Sequence, residues 1–232
     1  MLRALIFDVD GTLAETERDG HRVAFNRAFA DAGLPWHWDE EVYGELLAVA
    51  GGKERLSHWW RQVDPADAGA RLRQLHARKT EHYAALVRDG TLSLRPGVRA
   101  LIDDARERGI TLAIATTTTL ANVEELLAHT LGAAAPSWFK VIGSGDIVSH
   151  KKPAPAIYRY VLGALRLPAR DCIAFEDCAA GVAAALGAGL PTVLTRSLYA
   201  GDFEAPGVLA DLDELTGIDV PTLAGWLRRA AR

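Results

Sequence analysis

The sequence predicts an α/β protein: a doubly wound parallel sheet core with an inserted small all-helical cap domain. Downstream of residue 92, short apolar runs alternate with segments of helical periodicity, which is typical of a parallel sheet with helices on both faces. Between the first apolar run and that region, the chain shows helical periodicity and no strand-like alternation. We therefore predict a core domain of residues 1–15 and 92–232 and a cap domain of residues 16–91.

The composition favours a small-molecule partner over a macromolecule. The chain has 232 residues, enough for one large core and one smaller core. Its 26 basic and 30 acidic residues are spread along the chain and give a net charge of −4, so no basic face for nucleic acid is predicted. The long uncharged stretch of residues 179–195 is rich in alanine and broken by Pro191, which makes it a poor membrane span. The sequence does not specify an oligomeric state, and a monomer is favoured.

Cysteine usage favours a reducing compartment. Cys172 and Cys178 are the only two cysteines, and we expect inert thiols rather than a disulfide framework. The N-terminal run acquires Asp8 too early for a signal peptide. We therefore expect a cytoplasmic protein. The seven histidines include no H-x-x-E-H pattern, which argues against zinc.

The first predicted strand, Leu2–Phe7, ends in two carboxylates. Asp8 and Asp10 are separated by one residue, so the chain must turn at once for both side chains to reach one site. Gly11 permits that turn because it takes positive φ without a Cβ clash. Two carboxylates this close repel each other, and a cation or a raised pKa must relieve them. Oxygen ligands beside exposed backbone N–H groups suit Mg²⁺ together with a phosphate.

The segment after this strand reads as the helical cap. Its first predicted helix ends at Gly33. Three more predicted helices follow, Asp39–Val49, Lys53–Gln62 and Pro65–Arg88, and they are linked at Gly51-Gly52 and at Asp64-Pro65. Four tryptophans fall in this segment, and we expect them to form its small core: Trp36, Trp38, Trp59 and Trp60.

After Pro96-Gly97 the chain alternates between helices and strands. The first predicted helix begins at Val98 and ends before Gly109. The later predicted helices are Asn122–Leu131, Pro155–Leu165 and an alanine-rich helix that ends at Gly189. The predicted strands are Thr111–Thr116, Phe139–Ile142, Asp171–Phe175 and Pro191–Leu194. With the first strand, these elements make a Rossmann-like core interrupted once by the cap.

Polar residues follow several of these strands, at the edge where doubly wound sheets bind ligands. They are Asp8 and Asp10, the threonines 116–119, and Glu176-Asp177. Lys152, which precedes Pro153 in a loop, can offset part of their negative charge. Thr116 can give a phosphate oxygen its hydroxyl and nearby N–H groups. Carboxylates, a lysine, a hydroxyl and Mg²⁺ together predict a site for phosphoryl transfer.

These residues resemble the four ordered motifs of the haloacid dehalogenase superfamily. The motifs are Asp8-Val9-Asp10-Gly11-Thr12, Thr116, Lys152-Pro153 and Glu176-Asp177. The resemblance implies that Asp8 is the nucleophile of an aspartyl-phosphate intermediate and that Asp10 is the general acid and base. It implies a phosphate-binding set of Gly11, Thr116, Thr117 and Lys152, and a Mg²⁺ set of Asp8, Asp10, Glu176 and Asp177. One departure is Ala156, where related sequences often have aspartate, and it bears on the orientation of Lys152.

Residues 14–26, 51–55 and 115–122 resemble the CbbY group, which is similar in fold to β-phosphoglucomutases. That resemblance implies a Mg²⁺-dependent sugar bisphosphate phosphatase. Its implied reaction is hydrolysis of xylulose 1,5-bisphosphate, an inhibitor of Rubisco in the Calvin cycle, to xylulose 5-phosphate and phosphate.

A bisphosphate requires a second anion site. Lys53 and Arg55 follow a Gly-Gly pair at a helix start, and Arg78 and Lys79 lie on the long cap helix, so all four are candidates. Glu17 and His21 are one helical turn apart and are candidates for contact with sugar hydroxyls.

Two other functions remain open from the sequence. A β-phosphoglucomutase-like phosphomutase would use the same core residues, and a non-catalytic sugar-phosphate-binding protein would keep the fold alone. For both the phosphatase and the phosphomutase, we predict that residues 14–17 and 92–96 are hinges for a cap that closes over the substrate.

Overall fold

The structure is a computed structural model that describes residues 1–63 and 69–230. Its strands are β1 (Ala4–Phe7), β2 (Thr111–Ala115), β3 (Phe139–Gly143), β4 (Cys172–Glu176), β5 (Thr192–Thr195) and β6 (Ala210–Leu212). They form one parallel sheet in the order β3-β2-β1-β4-β5-β6. The predicted doubly wound α/β fold is therefore confirmed.

Helices cover this sheet and form the insert after β1. They are α1 (Arg22–Asp31), α2 (Glu40–Leu46), α3 (Gly52–Val63), α4 (Gly69–Arg88), α5 (Val98–Glu107), α6 (Leu120–Leu131), α7 (Ala156–Leu165), α8 (Ala179–Gly187) and α9 (Val220–Ala230). The predicted link at Asp64-Pro65 and the first residues of the helix predicted from Pro65 lie outside the described residues. No helix in the described ranges has the length and apolar character to cross a membrane.

β1 is the centre of the sheet, which explains its uninterrupted apolar sequence. Ala4 pairs with Thr111 of β2 on one side and with Cys172 of β4 on the other. Every residue of β1 is buried, because helices cover both faces of a doubly wound sheet. The Phe7 ring stacks on Phe175 with centroids 4.7 Å apart. The ends of β1 and β4 are thereby held next to each other.

Two elements beyond residue 194 were not predicted. β6 has only three residues and includes the polar Asp211, so it carries no alternating pattern. It forms by pairing with β5 at the edge of the sheet. α9 begins at Val220, whose N–H donates to Asp104 Oδ2 at 2.8 Å.

The helical insert has a core of its own. Its buried cluster is Phe25, Ala28, Phe29, Trp38, Tyr43, Leu46, Leu56, Trp60 and Leu75, with Trp36 and Trp59 packed partly buried against it. The two chain crossings that lead into and out of the insert lie side by side. Ala14 forms an antiparallel bridge with Leu94, and the Arg95 N–H donates to Leu13 O at 2.8 Å. This geometry is compatible with the division into cap and core, which stays a prediction.

A turn of π-helix, Glu17–His21, precedes α1 and was not predicted. It continues directly into α1, because His21 and Arg22 keep right-handed helical backbone angles. A π-turn shifts the side chains that follow it relative to a regular helix. Here it places His21 in the buried space beside Asp10.

Candidate active site

The carboxyl ends of β1 and β4 open onto a cavity of about 300 Å³. From β1 the chain continues to β2 and β3 on one side, and β4, β5 and β6 follow on the other side. The strand order therefore reverses between β1 and β4, which is the switch point where such sheets bind ligands. Most of the groups predicted to converge line it: Asp8, Asp10, Thr117, Lys152, Glu176 and Asp177. The fold thus brings together side chains that are far apart in the sequence.

A tight turn after β1 delivers Asp8 and Asp10 to this cavity. Gly11 has a φ of 83°, in the left-handed region that favours glycine. A Cβ atom on Gly11 would lie 2.2 Å from Asp177 Oδ2. Glycine is therefore required at this position for two reasons: the turn needs a positive φ, and the backbone lies too close to the Asp177 carboxylate to leave room for a Cβ atom.

Lys152 links the carboxylates of the two strands. Its Nζ lies 2.7 Å from Asp8 Oδ1 and 2.6 Å from Glu176 Oε1, and all three side chains are buried. Burial alone would lower the pKa of Lys152, but the two carboxylates outweigh it and raise that pKa, so the lysine stays charged. At position 156, where related sequences often have aspartate, this chain has Ala156, and α7 starts there without a side-chain cap. Lys152 is oriented by its contacts with Asp8 and Glu176.

Glu176 is fixed mainly as the partner of Lys152. It is fully buried, and the Tyr158 hydroxyl also donates to Glu176 Oε1. Its other oxygen, Oε2, is buried with no hydrogen-bond partner among the described residues. A Cβ on Gly181 would lie 1.8 Å from that oxygen, so glycine makes room for the carboxylate.

The donor set fits a hard divalent cation. Burial, together with the charges of neighbouring carboxylates, raises the pKa of Asp8 well above its usual range despite Lys152. Burial and the charge of Glu176 raise the pKa of Asp177 to about 7. A bound cation would relieve the cost of ionising these groups, and carboxylate oxygens are the ligands that Mg²⁺ prefers.

Within the described part of the chain, potential ligand atoms of Glu176, Asp177 and Cys178 lie within 4.8 Å of one another. Asp8 and Asp10 line the same cavity but are not part of that group. Asp8 is held on Lys152 instead. We therefore regard Mg²⁺ as compatible with the residues present, and Cys178 as a half-buried neighbour whose thiol has a pKa raised by burial and by the charges of Asp177 and Glu176.

Asp10 is bound by the start of the insert. Thr16 Oγ1 donates to Asp10 Oδ1 at 2.5 Å, and His21 Nε2 lies 2.9 Å from the same oxygen. Lys79 Nζ lies 2.6 Å from His21 Nδ1, so Lys79 donates to Nδ1 and His21 donates its Nε2–H to Asp10. Burial would raise the pKa of Asp10, but His21, Thr16 and the charge of Lys79 lower it to about 2. Burial also lowers the pKa of Lys79 to about 8.

Glu17 and Arg55 meet in the wall of the cavity. Tyr43 OH donates to Glu17 Oε2 at 2.5 Å, Arg55 Nη1 donates to Tyr43 OH at 2.8 Å, and Arg55 and Glu17 are 3.7 Å apart. Lys53 lies at the rim, where it pairs with Asp146 of the core at 2.8 Å. The structure therefore places Glu17, Arg55 and Lys53 at the junction of insert and core.

The structure does not bring Arg78 to the site, so a role for it in substrate binding stays a prediction. Its side chain is 54% exposed and pairs with Asp31 of α1 and Glu81 of α4. Lys79, the next residue, points inward to His21, because consecutive residues of a helix are about 100° apart around its axis.

The threonines after β2 divide between two positions. Thr116 is buried, and its hydroxyl accepts a hydrogen bond from Thr118 N at 3.3 Å. Thr117 lines the cavity, and a narrower cleft next to it is lined by Thr118, Thr119 and Asn122. Contact of Thr116 with a phosphate stays a prediction.

Several residues of the site were not predicted from the sequence: Thr16, Tyr43, His76, Asn122, Tyr158 and Ser197. Thr16 donates to Asp10, six residues earlier, and Tyr158 donates to Glu176, eighteen residues later. His76 and Asn122 are buried polar residues, and their polar type is a signal that could have identified them. Thr16 and Asn122 also lie within the stretches that resemble the CbbY group.

Comparison with known proteins extends these observations. A sequence profile of haloacid dehalogenase-like hydrolases matches residues 2–189. The plasmid-encoded protein CbbY of Cupriavidus necator is 50% identical over 219 residues, which cover 92% of this chain and 86% of that protein. The crystal structure of CbbY from Rhodobacter sphaeroides in complex with phosphate matches with a TM-score of 0.91 and 43% identity, covering 97% of this chain and 100% of that one. A mutant of that protein in complex with xylulose-(1,5)bisphosphate matches with the same TM-score of 0.91 and 43% identity, covering 96% and 99%.

Gly11→Ala should weaken Mg²⁺ binding, because the new Cβ would displace the Asp177 carboxylate. Gly33→Ala is the matched control, since Gly33 also has a positive φ of 65° but no atom within 4 Å of its Cβ position. We expect Gly33→Ala to lose about 1–2 kcal/mol of unfolding free energy from its backbone conformation, and Gly11→Ala to lose at least as much because of the added clash. Calorimetric titration should show a loss of Mg²⁺ affinity in Gly11→Ala alone, and equal affinity in the two variants would contradict this geometry.

Asp177→Asn should stabilise the metal-free protein at pH 8. The pKa of Asp177 is about 7 in the folded protein, above its usual value near 3.8, so ionising it costs stability as the pH rises. The loss of stability is absent below pH 3.8, where Asp177 is protonated in both the folded and the unfolded chain, and it reaches its full size above pH 7. Urea unfolding in EDTA should therefore show a gain in Asp177→Asn at pH 8 that shrinks toward pH 4. The exposed Asp103→Asn serves as control, and a pH-independent difference would refute the assignment.

Proposed function

The chain belongs to the haloacid dehalogenase-like hydrolases and to the CbbY family among them, and it is a phosphatase; we propose that it hydrolyses a sugar bisphosphate with the help of Mg²⁺. Our proposed substrate is xylulose 1,5-bisphosphate, and the proposed products are xylulose 5-phosphate and inorganic phosphate. The observation that carries the proposal is Asp8, held on Lys152 at 2.7 Å in a cavity shared with Asp10 and Asp177.

Asp8 is the proposed nucleophile. Lys152 engages only its Oδ1, which leaves the other carboxylate oxygen to attack phosphorus. In this step the new bond joins Asp8 to phosphorus, and the bond from phosphorus to the sugar oxygen breaks. Lys152 stays charged throughout and can neutralise a phosphoryl oxygen as negative charge shifts to the leaving group.

Asp8, the backbone of Asp10, Glu176 and Asp177 are the proposed Mg²⁺ set. When bound, Mg²⁺ supplies charge neutralisation for the phosphoryl oxygens and lowers the pKa values of the buried carboxylates. The unpartnered Oε2 of Glu176 and the raised pKa of Asp177 support a cation at this place.

Asp10 is the proposed carrier of the proton. It gives a proton to the leaving sugar oxygen, and it later takes one from the water that attacks the aspartyl-phosphate, which releases phosphate and restores Asp8. In the structure Asp10 is ionised, since Thr16 and His21 both donate to it. This is the form that a base requires. The acid form, protonated on Oδ2, is disfavoured as long as these two hydrogen bonds to Oδ1 are made, and both donors belong to the start of the insert.

Movement of the insert as a cap would therefore control Asp10 as well as water access. We place the hinges at residues 14–17 and 92–96, and the cap at residues 16–91. Opposite the hinges, two ion pairs join cap to core: Lys53 with Asp146 at 2.8 Å, and Glu54 with Lys151 at 3.8 Å. This is the arrangement of a cap that lies against the core.

A cleft between α3, α4 and the loop after β2 contains cations that can receive a second phosphate, next to four carboxylates: Asp10, Glu17, Glu54 and Asp146. Its cations are Lys53, Arg55, Lys79 and Lys151. Arg55 and Lys79 are buried and committed to neighbours within the cap. Lys53 is different, because its pair with Asp146 is about half exposed and such pairs contribute little. Lys53 can therefore turn to a distal phosphate at small cost.

The direct assay is phosphate release from xylulose 1,5-bisphosphate in the presence of Mg²⁺. We expect one equivalent of phosphate and xylulose 5-phosphate as the sugar product, with turnover abolished in Asp8→Asn and in EDTA. The exposed Asp103→Asn should retain the wild-type rate. Absence of turnover on this bisphosphate, with activity on another sugar phosphate, would overturn the substrate assignment.

The same assay separates the alternatives. Conversion of a hexose 1-phosphate to the 6-phosphate, primed by a trace of bisphosphate, would identify a phosphomutase. Binding of the bisphosphate without any turnover would identify a non-catalytic binding protein.

Lys53→Met should raise KM for the bisphosphate about tenfold, because a loss of about 1.4 kcal/mol is expected for one cation on a phosphate. The rate on p-nitrophenyl phosphate, which has no second phosphate, should not change. Arg78→Met is the matched control, since Arg78 lies on the outer face of the same cap. An equal rise in KM for both substrates would show that Lys53 supports the cap rather than the distal phosphate.

A further inference from the structure

Arg95 is a buried guanidinium at the return crossing from the insert to the core. It donates to four backbone carbonyl oxygens: those of Gly11, Thr195 at 2.8 Å, Arg196 at 2.6 Å and Asp213 at 2.6 Å. Its Nε lies 3.4 Å from Glu15 Oε1. The guanidinium thereby connects the turn after β1, the end of β5, the loop after β6 and the outgoing crossing.

One arm of Arg95 fixes the turn that faces Asp177. Nη1 donates to the Gly11 carbonyl, and the Cα of Gly11 faces Asp177 Oδ2 so closely that a Cβ there would lie 2.2 Å away. The position of this peptide therefore sets how near the Asp177 carboxylate can come to the turn that carries Asp8 and Asp10.

The other contacts of Arg95 fix the opposite side of Asp177. Arg95 donates to the carbonyls of Thr195 and Arg196, the two residues that precede Ser197. Ser197 lies beside Asp177, where its side chain lowers the pKa of that carboxyl, and a Cβ on Gly11 would lie 2.9 Å from the Ser197 Cβ. Asp177 is thus held between two backbone segments, and one guanidinium bonds to both.

A guanidinium suits this task better than an ammonium. Its planar fork presents donors in fixed directions, so it can bind several carbonyls at once, whereas lysine offers a compact charge on a flexible stem. The carbonyl groups here belong to segments that are far apart in the sequence, and Arg95 is the side chain that bonds to all of them.

We propose that Arg95 is a positioning residue for the Mg²⁺ site: it sets the separation between the turn after β1 and Asp177, and through that separation the affinity for the metal. The inference rests on the proposed Mg²⁺ site. Arg95 touches neither the reacting atoms nor the cavity residues Asp8 and Lys152, and it acts through backbone carbonyls and Ser197.

The test is calorimetric titration of folded Arg95→Lys with Mg²⁺, with Arg99→Lys as the matched control. Arg99 lies four residues further on, in the first turn of α5, is exposed, and donates to the carbonyl of Thr130. Loss of a residue that orients metal ligands typically costs about 10–100-fold in metal affinity, and we expect a loss in that range for Arg95→Lys and none for Arg99→Lys. In turnover assays, high Mg²⁺ should restore most of kcat in Arg95→Lys.

A double-mutant cycle separates positioning from general loss of stability. Ser197→Ala should weaken Mg²⁺ binding by itself, and its effect should be non-additive with Arg95→Lys because both act on the same segment beside Asp177. Ser197→Ala also tests the proposal if Arg95→Lys does not fold. Wild-type Mg²⁺ affinity in folded Arg95→Lys, or in Ser197→Ala, would overturn the role of Arg95. A wild-type protein that binds no Mg²⁺ would instead overturn the proposed cofactor, and the role of Arg95 with it.

Discussion

Buried negative charge at the ends of two neighbouring strands is the constraint on which the rest of the structure depends. Asp8 and Glu176 share Lys152 at 2.7 and 2.6 Å, yet the pKa of Asp8 is still raised, and Asp177 has a pKa of about 7. One lysine therefore does not compensate this cluster. The glycine turn, the guanidinium of Arg95 and the packing of the two strands hold the carboxylates together despite their repulsion. Such a cluster is costly as a purely structural element, and it suits the binding of Mg²⁺ and a phosphate.

The side chains that hydrogen-bond to Asp10, and the lysine behind them, come from the insert. Asp10 receives hydrogen bonds from Thr16 and His21, and Lys79 on α4 holds the imidazole in the tautomer that donates. The protonation state of Asp10 therefore depends on where the insert lies. In the proposed reaction the same carboxylate must act first as acid and then as base, so coupling its hydrogen bonds to cap position gives the fold a means of ordering the two steps.

Much of the core and of its site could be predicted from the sequence. Five of the strands were located because buried parallel strands read as apolar runs, and the polar residues that end them, such as Asp8 and Asp177, fell at the edge where ligands bind. β6 escaped because a three-residue edge strand has no pattern. The contact of His21 with Asp10 depends on a π-turn that periodicity does not reveal.

Other features could not be predicted for different reasons. Arg78 and Lys79 are adjacent, and only the phase of α4 decides which of them faces the site. Arg95 acts on backbone carbonyls, which every residue has, so its partners left no trace in the sequence. The structure supplied what periodicity cannot, namely the rotation of helices and the positions of backbone groups.

The measurement that tests the central claim most directly is a crystal structure of the protein with Mg²⁺ and beryllium trifluoride, an analogue of a phosphoryl group. The account predicts the trifluoride on the Asp8 oxygen that Lys152 does not hold, with Mg²⁺ bound by Asp8 and Asp177. A trifluoride bound elsewhere, or a cation that contacts neither aspartate, would contradict it.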